Sequence, residues 1–448
     1  MKRTALLFAA AALLAGCVRS VNTPPPPPPA AVVAAPAAAP AVQAPPVPTQ
    51  AAWVQYVPGS GAEVRALGDA SGNCPAATVD GKALPMALRA AATADFPALC
   101  ALMLPAHAKA LSVNGQALGV PVDKPTRILV LGDTGCRIKG TYLQACNDPN
   151  AWPFAALAQA AAATKPDLVL HLGDYLYRES PCPAGNAGCA GSPWGDNWPS
   201  WAADFFVPAA PLLHAAPWVV VRGNHEDCYR GGPGFLRLLG PEAFDAAAAC
   251  NAHLAPYLVS LGGKQAIAMI DSASAADTPL DEAAVPGYVK DFAMLKDLAH
   301  GAGARELWFA THRPLWGVVT YNGIPAGGNA TMIAAAGDLS AFKAISLMLA
   351  GHIHTFESIN YRNHRVPPQI VAGHGGDNLD VTPVDLRGTV FQGHSGVQVD
   401  NGLSVGGYGF LLMTRTAKGW SIQLYDSTGA PERQCSFDGK SLSCPAPH

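Results

Sequence analysis

The sequence predicts an α/β fold preceded by a small, mainly-β N-terminal domain. Short runs that are apolar throughout recur from Arg127 onwards, as expected of strands buried on both faces. Segments of helical composition lie between several of these runs, and such alternation is typical of α/β domains. Between residues 53 and 124 the runs end at glycine turns, which favours short strands. We therefore place the α/β domain at residues 125–448, after an N-terminal domain at residues 53–124.

The N-terminus has the features of an export signal. A basic "MKR" precedes the apolar "TALLFAAAALLAG", and "LLAGC" resembles a bacterial lipobox in which Cys17 becomes the lipid-bearing first residue. An ordinary secretory signal with an incidental cysteine is the alternative. Residues 1–17 are thus predicted to be a lipoprotein signal peptide. The protein is then expected on the periplasmic side of a bacterial cell envelope, with secretion as the alternative. Val18, in place of an aspartate, favours the outer membrane by resemblance to known lipoproteins.

Residues 18–52 are rich in proline and alanine, with "TPPPPPPAAVVAAPAAAPAVQAPPVP" at their centre. Proline disfavours helix and sheet and favours an extended polyproline conformation, so this segment is predicted to be a semi-rigid linker. Such a spacer fits a lipid-anchored protein whose folded part is held away from the membrane.

The N-terminal domain is predicted to be mainly β. "WVQYVPG", "GAEVRALG" and "AKALSVNG" have the pattern of short strands that end in glycine turns. The segment "PMALRAAATADFPALCALML", residues 85–104, has helical composition instead.

The cysteine content agrees with export. The chain has 11 cysteines, and an even number remains once Cys17 is set aside. In an exported chain these are expected to form disulfides. Pairing of sequence neighbours is one hypothesis among many connectivities. It gives Cys74–Cys100, Cys136–Cys146, Cys182–Cys189, Cys228–Cys250 and Cys435–Cys444.

Seven apolar runs predict consecutive strands in the second domain. They are "RILVLGDTG", "DLVLHLGDYLY", "PWVVVRGNHE", "AIAMIDSA", "ELWFATHRP", "LMLAGHIH" and "QIVAGHGGD". Helical composition occurs in "PFAALAQAAAAT", in "GPGFLRLLGPEAFDAAAA", which Pro241 interrupts, and in "YVKDFAMLKDLAH". Near the C-terminus, "GYGFLLMTRTAKGWSIQLYDSTG" has the pattern of a hairpin that turns at "AKG".

Polar loops follow the carboxyl ends of these predicted strands, where open α/β sheets place their ligands. The loops contain oxygen and imidazole donors of the kind that bind iron, zinc or manganese. These donors are Asp133, Asp174, Asn224, His225, His312, His352 and His354. A single histidine beside a strand is more often a satisfied core residue, but five such loops in succession are hard to explain by packing.

The loops carry the blocks "GDTG" (132–135), "GDYLY" (173–177), "GNHE" (223–226), "FATH" (309–312) and "GHIH" (351–354). In this order they resemble the signature blocks of the calcineurin-like metallophosphoesterases. They are most similar to the purple acid phosphatase branch, which has G-D-x-G and G-D-x-x-Y as its first two blocks. The resemblance covers roughly residues 127–375 and departs at Phe309, where a valine is usual. It implies a sandwich of two mixed sheets flanked by helices.

The resemblance also implies a site for two metal ions. Asp174 is implied to bridge both ions. Asp133, Tyr177 and His354 are implied to complete a trivalent iron site. Asn224, His312 and His352 are implied to complete a divalent site for zinc, manganese or ferrous iron. His225 is implied to face the substrate and to assist the leaving group instead of binding a metal.

Tyr177 independently favours Fe(III). A phenol with a pKa near 10 binds as phenolate near neutral pH only if the cation is strongly acidic. Two carboxylates and one phenolate leave the two ions with a net charge of about +2, which attracts phosphate. We expect metal-bound hydroxide to attack phosphorus in line. His225 suits a general acid because the unperturbed pKa of histidine is about 6.5.

Two further residues are weaker candidates. His374 follows a predicted strand and is a candidate to hydrogen bond a metal ligand, with an ordinary loop histidine as the equal alternative. Arg313, beside His312, is a candidate to meet phosphate or, slightly favoured, to pair with a carboxylate.

The preferred function is metal-dependent hydrolysis of phosphate esters, most of all phosphomonoesters, on a phosphorylated small-molecule substrate. A phosphodiesterase or nucleotide-cleaving enzyme is one alternative, and a non-catalytic envelope-binding lipoprotein is another. The net charge of −3 gives no indication of a nucleic-acid partner. The only membrane contact expected is through the lipid anchor.

Overall fold

The computed structural model describes residues 50–445 apart from residues 60, 322–323 and 392–396, and it gives only the backbone of residues 321 and 324–326. The predicted signal peptide, Cys17 and the linker up to residue 49 lie outside the described residues. The predictions made for them stay predictions.

Strands outnumber helices in the described part of the chain. The strands are β1 (Ala52–Val57), β2 (Gly61–Leu67), β3 (Ala76–Val79), β4 (Lys82–Pro85), β5 (Ala87–Ala90), β6 (Leu99–Met103), β7 (Leu111–Val113), β8 (Gln116–Leu118), β9 (Arg127–Leu131), β10 (Ile138–Lys139), β11 (Tyr142–Leu143), β12 (Leu168–His171), β13 (Trp218–Val220), β14 (Tyr257–Ser260), β15 (Gln265–Met269), β16 (Glu306–Ala310), β17 (Val319–Tyr321), β18 (Ile324–Ala326), β19 (Ile345–Ala350), β20 (Phe356–Tyr361), β21 (Gln369–Ala372), β22 (Val399–Val405), β23 (Gly409–Thr416), β24 (Gly419–Asp426), β25 (Pro431–Phe437) and β26 (Leu442–Ser443). The α-helices are α1 (Phe154–Ala163), α2 (Trp198–Trp201), α3 (Ala210–Ala215), α4 (Gly232–Leu238), α5 (Val285–Gly301) and α6 (Ala330–Ala336).

The seven predicted strands of the α/β region all form, and they divide between two sheets. The first sheet has the order β26-β25-β24-β23-β9-β12-β13-β1-β2-β6-β5. Its central strands β9, β12, β13 and β1 are parallel, with Val169 paired to both Leu129 and Trp218. Strand β23 joins antiparallel and forms the predicted C-terminal hairpin with β24.

The second sheet is also mixed. Its order is β14-β15-β16-β19-β21-β20-β22. Strands β15, β16, β19 and β21 are parallel, whereas β14, β20 and β22 join antiparallel. The carboxyl ends of its parallel strands precede the blocks that contain His312, His352 and His354.

The two sheets face each other, and their facing sides share one apolar core. Ile128, Val130 and Leu170 from the first sheet lie in one cluster with Trp308 and Leu349 from the second. Alternate residues on the outer faces pack under helices, as the period of two along a strand requires. The outer side of the first sheet is covered by α1, α3 and α4, and that of the second by α5 and α6. The predicted sandwich of two mixed sheets flanked by helices is confirmed.

The predicted mainly-β character of the N-terminal region is confirmed. Strands β1, β2, β6 and β5 continue the first sheet, and β4, β3, β7 and β8 form a small sheet of their own. The predicted boundary near residue 124 therefore falls within a shared sheet, and an independently folding N-terminal domain stays a prediction.

The helix expected over residues 85–104 is wrong. The segment forms β5 and β6, which pair antiparallel, and β6 also pairs with β2 along its whole length. Buried Leu99 and Cys100 face the two apolar cores on either side of the sheet, and Cys100 is bonded to Cys74. Tertiary pairing here overrides the helix preference of an alanine-rich segment, which is weak in itself.

The predicted disulfide pairing is confirmed. All five bonds join sequence neighbours: Cys74–Cys100, Cys136–Cys146, Cys182–Cys189, Cys228–Cys250 and Cys435–Cys444. Three of them lie in loops that directly follow the first three polar blocks. Among the described residues, no helix is both long and apolar enough to cross a bilayer.

Candidate metal centre

The polar loops of both sheets meet at one edge of the sandwich. The backbone N–H of Asp133 donates to Gly173 O over 2.9 Å, which joins the loops after β9 and β12. The N–H of His225 donates to Asp174 Oδ1 over 2.8 Å, and that of His352 donates to Asp133 Oδ2 over 2.9 Å. The N–H of Gly351 donates to His312 O over 2.9 Å, so the structure brings together all five blocks that the sequence separates.

Asp174, His312 and His352 offer ligand atoms that all lie within 4.8 Å of one another. His312 Nδ1 donates to Leu172 O over 2.8 Å, which leaves Nε2 free for a cation. That Nε2 is 3.3 Å from Asp174 Oδ2 and 2.9 Å from Asn224 Oδ1. The four residues form the first half of the candidate centre.

The second half is formed around the hydroxyl of Tyr177, which is fully buried. Its Oη lies 2.7 Å from Asp174 Oδ2, 3.2 Å from Asp133 Oδ1 and 3.1 Å from His354 Nε2. His354 Nδ1 donates to Asn378 O over 2.6 Å, so its Nε2 is also free for a cation. Asp174 belongs to both halves because its Oδ2 contacts both Tyr177 and His312.

The backbone at this edge is unusual. Asp133, Asp174 and His352 have left-handed backbone, with φ of 57°, 60° and 70°. Such conformations cost roughly 1–3 kcal/mol for residues other than glycine and concentrate at functional sites. Gly173 has φ of 97°, and a Cβ on it would lie 2.6 Å from His312 Nδ1, so glycine is required there.

Glu226, which was not among the predicted site residues, connects two of the blocks. Its buried carboxylate accepts hydrogen bonds from the backbone N–H groups of Gly223, Asp174, Tyr175 and Leu176, over 2.8–3.1 Å. Burial, and then the charge of Asp174, raise the pKa of Glu226 to about 8. This carboxyl group fixes the loop that carries both Asp174 and Tyr177.

Asp204 holds the backbone of Tyr177 in place. It lies in a five-residue π-helical turn, Ala202–Phe206, a form that is rare outside functional regions. Its Oδ2 accepts the N–H of Tyr177 over 2.7 Å, and its Oδ1 accepts the N–H of Cys136 over 2.9 Å. Arg178 Nε donates to the same carboxylate over 2.8 Å and balances its charge.

A buried ion pair covers the ring of Tyr177. Arg137 donates to Asp377 from Nε over 3.1 Å and also from Nη2, and its guanidinium carbon lies 4.7 Å from the centre of the Tyr177 ring. Asp377 Oδ2 is also 3.6 Å from His354 Nδ1. A positive charge on the phenol face favours the ionised phenol.

His225 lies beside the shared carboxylate without joining it. Its Nε2 is 4.0 Å from Asp174 Oδ2, and its ring centre is 3.9 Å from that of Tyr177. Nδ1 is in contact with Glu179 Oε1, which the sequence did not indicate as a site residue. Lys139 Nζ and Arg230 Nη1 also contact Glu179, at 3.0 and 3.4 Å. His225 thus presents Nε2 to the centre.

The two weaker candidates have different surroundings. Arg313 pairs with a carboxylate, Asp277, as the slightly favoured alternative had it. His374 is buried, and neither of its ring nitrogens has a hydrogen-bond partner in the part of the chain that the structure describes. The expected hydrogen bond from His374 to a metal ligand is therefore not among its contacts. Burial lowers its pKa to about 3, so the ring is neutral.

The electrostatics of the edge favour a cation. Burial opposes protonation of His312, but Asp174 outweighs it and raises the pKa of His312 to about 9. Burial likewise opposes protonation of His354, but Asp377 and Asp133 raise its pKa to about 10. Both rings therefore hold protons that metal ions would displace. Burial and the nearby carboxylates raise the pKa of Tyr177, so a cation is needed to ionise it.

The donor set fits two metal ions. Carboxylate, imidazole, amide and phenol groups suit iron, zinc and manganese. Backbone carbonyls fix the tautomer of both His312 and His354, as is usual for metal-binding histidines. Fold and site together define a metal-dependent phosphoesterase.

Comparison with known proteins supports this class. Residues 126–356 match the model of the calcineurin-like phosphoesterase family, and the chain belongs to that family. The predicted family is thereby confirmed, and it implies metal cofactors and phosphorylated substrates. No curated protein matches the chain significantly.

Two solved structures share the fold. One is a purple acid phosphatase isolated from yellow lupin (Lupinus luteus) seeds, with a TM-score of 0.52 and 14% identity, over 89% of this chain and 77% of that chain. The other is PhoD, with a TM-score of 0.50 and 10% identity, over 89% of this chain and 92% of that chain. The first belongs to the branch that the sequence blocks resemble.

Proposed function

We propose that this protein hydrolyses phosphate esters, chiefly phosphomonoesters, at a binuclear centre of Fe(III) and a divalent metal ion. The observation that carries the proposal is the position of Tyr177. Its hydroxyl lies within 3.2 Å of three other candidate ligands, Asp133, Asp174 and His354. A phenolate among two carboxylates suits a trivalent ion better than a second divalent one.

Each candidate metal ligand has a defined part in this proposal. Asp133, Tyr177 and His354 would hold the trivalent ion, Asn224, His312 and His352 would hold the divalent ion, and Asp174 would contribute to both sites. When bound, the two ions neutralise the developing phosphoryl charge and supply an activated nucleophile.

His225 acts on the leaving group. Its Nδ1 is in ion-pair contact with Glu179, so Nε2 faces the candidate centre and is the atom that exchanges a proton with the ester oxygen. The net positive charge of about +2 that the two metal ions would leave at the site favours the doubly charged monoester over the singly charged diester.

The experiment compares hydrolysis of an aryl phosphate monoester with that of the matching diester, by wild type and by His225→Ala. We expect the monoester to be the better substrate, and His225→Ala to lose about 10²–10⁴-fold in kcat, the usual contribution of a general acid. Preference for the diester would support the phosphodiesterase alternative. Hydrolysis of neither ester by metal-loaded wild type would favour a binding protein.

A spectroscopic measurement tests the metal assignment separately. Phenolate bound to Fe(III) absorbs visible light by charge transfer, so the oxidised, iron-loaded protein is expected to be coloured and Tyr177→Phe to lose that band. A colourless protein that contains iron contradicts the role of Tyr177. Metal analysis is expected to give two ions per chain.

We also propose that Cys17 carries lipid and holds the enzyme at the cell envelope. The support is the sequence "LLAGC" and the proline-rich spacer that follows it. Expression of wild type and Cys17→Ser in a bacterium tests this by fractionation. Wild type is expected with the membranes and the variant in the soluble envelope fraction, and equal distribution contradicts the proposal.

A further inference from the structure

A carboxylate outside the five blocks lies against one of the candidate ligands. Asp277 Oδ2 is 3.0 Å from His352 Nε2, and it also accepts a hydrogen bond from Arg313 Nη1. That Nη1 is itself 3.0 Å from the same His352 nitrogen. An arginine N–H only donates and an ionised carboxylate only accepts. Because Arg313 Nη1 donates to Asp277, the contact of Asp277 with Nε2 favours the imidazole proton on Nε2 and leaves Nδ1 for a cation.

Asp277 is fixed by the start of helix α6. The fully buried Asn329 donates from Nδ2 to Asp277 Oδ1 over 2.8 Å and to Ala275 O over 3.0 Å. Oδ1 of Asn329 caps the helix by accepting the N–H of Met332 over 2.8 Å. The N–H of Ala330 donates to Asp277 O over 3.0 Å. Both the backbone and the carboxylate of Asp277 are therefore held in place.

Arg313 brings a permanent positive charge next to the proposed divalent site. It directly follows the candidate ligand His312, its side chain is 14% exposed, and its N–H donates to Ser272 Oγ over 2.9 Å. A guanidinium keeps its charge at physiological pH, and it repels a metal ion more strongly where water is largely excluded. The contact with Asp277 offsets that charge.

We propose that Asp277 is a positioning residue for the divalent metal ion. It orients His352 so that Nδ1 binds the ion, and it neutralises Arg313, whose charge would otherwise oppose binding. This inference rests on the proposed function, because it assigns a role to Asp277 at the same site. The role of Asp277 predicts an effect on metal affinity, and this prediction can be wrong while the proposed function is correct.

The test is a titration of the full-length mature protein with Mn²⁺. The divalent ion is first removed with a chelator, and free Mn²⁺ is followed by electron paramagnetic resonance. Wild type is compared with Asp277→Asn, Arg313→Gln and the double variant. Asp385→Asn is the matched control, since Asp385 is an exposed carboxylate that pairs with an arginine, Arg387, away from the centre.

Asp277→Asn is expected to weaken binding of one Mn²⁺ per chain by about 10–100-fold, the usual effect of losing a group that orients a metal ligand. In the double variant, Arg313→Gln is expected to restore a large part of the Mn²⁺ affinity, because the positive charge of Arg313, which Asp277→Asn leaves uncompensated, is then removed. Arg313→Gln alone is expected to bind Mn²⁺ at least as tightly as wild type, because the charge that opposes the ion is removed, and Asp385→Asn is expected to bind as wild type does. A misfolded variant would not be rescued by a second substitution, so rescue separates positioning from structural damage.

Two results overturn the inference. One is unchanged Mn²⁺ affinity in Asp277→Asn, and the other is a loss that Arg313→Gln does not restore. If wild type itself binds no Mn²⁺ and hydrolyses no phosphate ester, the proposed function fails instead. The outcomes are therefore distinguishable within one set of proteins.

Discussion

The carboxylate of Asp174 contacts candidate ligands from both halves of the centre. Its Oδ2 contacts Tyr177 Oη and His312 Nε2, one from each half of the centre, while its Oδ1 accepts the N–H of His225. Its left-handed backbone turns the side chain inward at a cost that the surrounding hydrogen bonds must offset. Replacement of this one residue therefore affects both metal sites.

We predict that Asp174→Ala abolishes activity more completely than any other single ligand substitution. His352→Ala is the comparison, because the imidazole of His352 is assigned only to the divalent site. The measurement is kcat/KM with a phosphate monoester after each protein has been reconstituted with iron and a divalent ion. Asp174→Ala should also retain fewer than two ions per chain. An Asp174→Ala enzyme more active than His352→Ala is incompatible with a bridging role.

Glu179 is predicted to position His225. Burial opposes ionisation of Glu179, but hydrogen bonds from His225 and Lys139 outweigh it and lower the pKa of Glu179 to about 2. The carboxylate is thus ionised throughout the physiological range and fixes the His225 proton on Nδ1. We expect Glu179→Gln to lower kcat by roughly tenfold or more, a part of the 10²–10⁴-fold general-acid effect, with little change in KM.

Lys139→Met is the control for Glu179. It removes one cation from Glu179 but leaves the contact with His225, so kcat should stay close to that of wild type. Steady-state kinetics on the three proteins gives the comparison. If Lys139→Met and Glu179→Gln lower kcat equally, the charges of Lys139 and Glu179 together affect catalysis, and the contact between Glu179 and His225 has no separate orienting role.

Residues that bind metal in this proposal could be found from the sequence, whereas residues that support them could not. Asp133 and Asp174 each follow an apolar strand inside a short block, so their context is local. Asp277 contacts His352 from 75 positions away, and Asp377 contacts Arg137 from 240 positions away. Only the packed sheets bring such partners together, and no spacing in the sequence encodes them.

At the scale of secondary structure, the centre is built from repeated units of buried strand, glycine and donor residue. Gly173, Gly223 and Gly351 each precede a candidate ligand, and a Cβ on any of them would lie within 2.6 Å of another part of the centre. Side chains would therefore push the loops of neighbouring strands apart. The glycines let several donors converge within a few ångströms.

We predict that Gly173→Ala destabilises the protein and impairs metal binding. Its φ of 97° strains any other residue, and the added Cβ would lie 2.6 Å from His312 Nδ1 and 2.8 Å from Gly223 Cα. Overpacking of this kind typically costs about 1–3 kcal/mol, in addition to the backbone strain. Chemical denaturation gives the loss of stability, and metal analysis gives the loss of ions.

Gly388→Ala is the control that measures how much stability is lost through backbone strain alone. Gly388 also has positive φ, 80°, but a Cβ there meets no atom within 4 Å. We expect this variant to lose stability through strain alone and to keep both metal ions. Equal loss of metal in the two variants would mean that contact with His312 is not the cause.

Secondary structure was predictable where the pattern is strong and the chain is locally consistent. The seven apolar runs all form strands, and α5 covers the segment "YVKDFAMLKDLAH". The failure at residues 85–104 has a physical cause. Hydrogen bonding of β6 to β2 and β5, together with the Cys74–Cys100 bond, is worth more than the helix preference of alanine.

At the scale of the whole molecule, the candidate ligands come from both sheets. Asp133, Asp174 and Tyr177 come from loops of the first sheet, whereas His312, His352 and His354 come from loops of the second. Asp133, Asp174, Glu226 and Asp377 are all buried near the same edge. Without metal ions, Arg137 and the protonated His312 and His354 offset the repulsion among Asp133, Asp174 and Asp377, and metal ions, which carry more charge, would displace those two protons. Metal ions are therefore expected to stabilise the folded chain as well as to enable catalysis.

We predict that removal of metal lowers the melting temperature and that its return restores it. A ligand that binds only the folded state adds RT ln(1 + [L]/Kd), about 2.7 kcal/mol at a hundred times Kd. Calorimetry of wild type with and without excess Mn²⁺ measures this shift. Asp174→Ala should show almost none, because it lacks the shared ligand, whereas Asp385→Asn should shift as wild type does. A shift of equal size in Asp174→Ala would place the stabilising metal ion elsewhere in the protein. Absence of a shift in wild type would mean that the packing of the two sheets does not depend on bound metal.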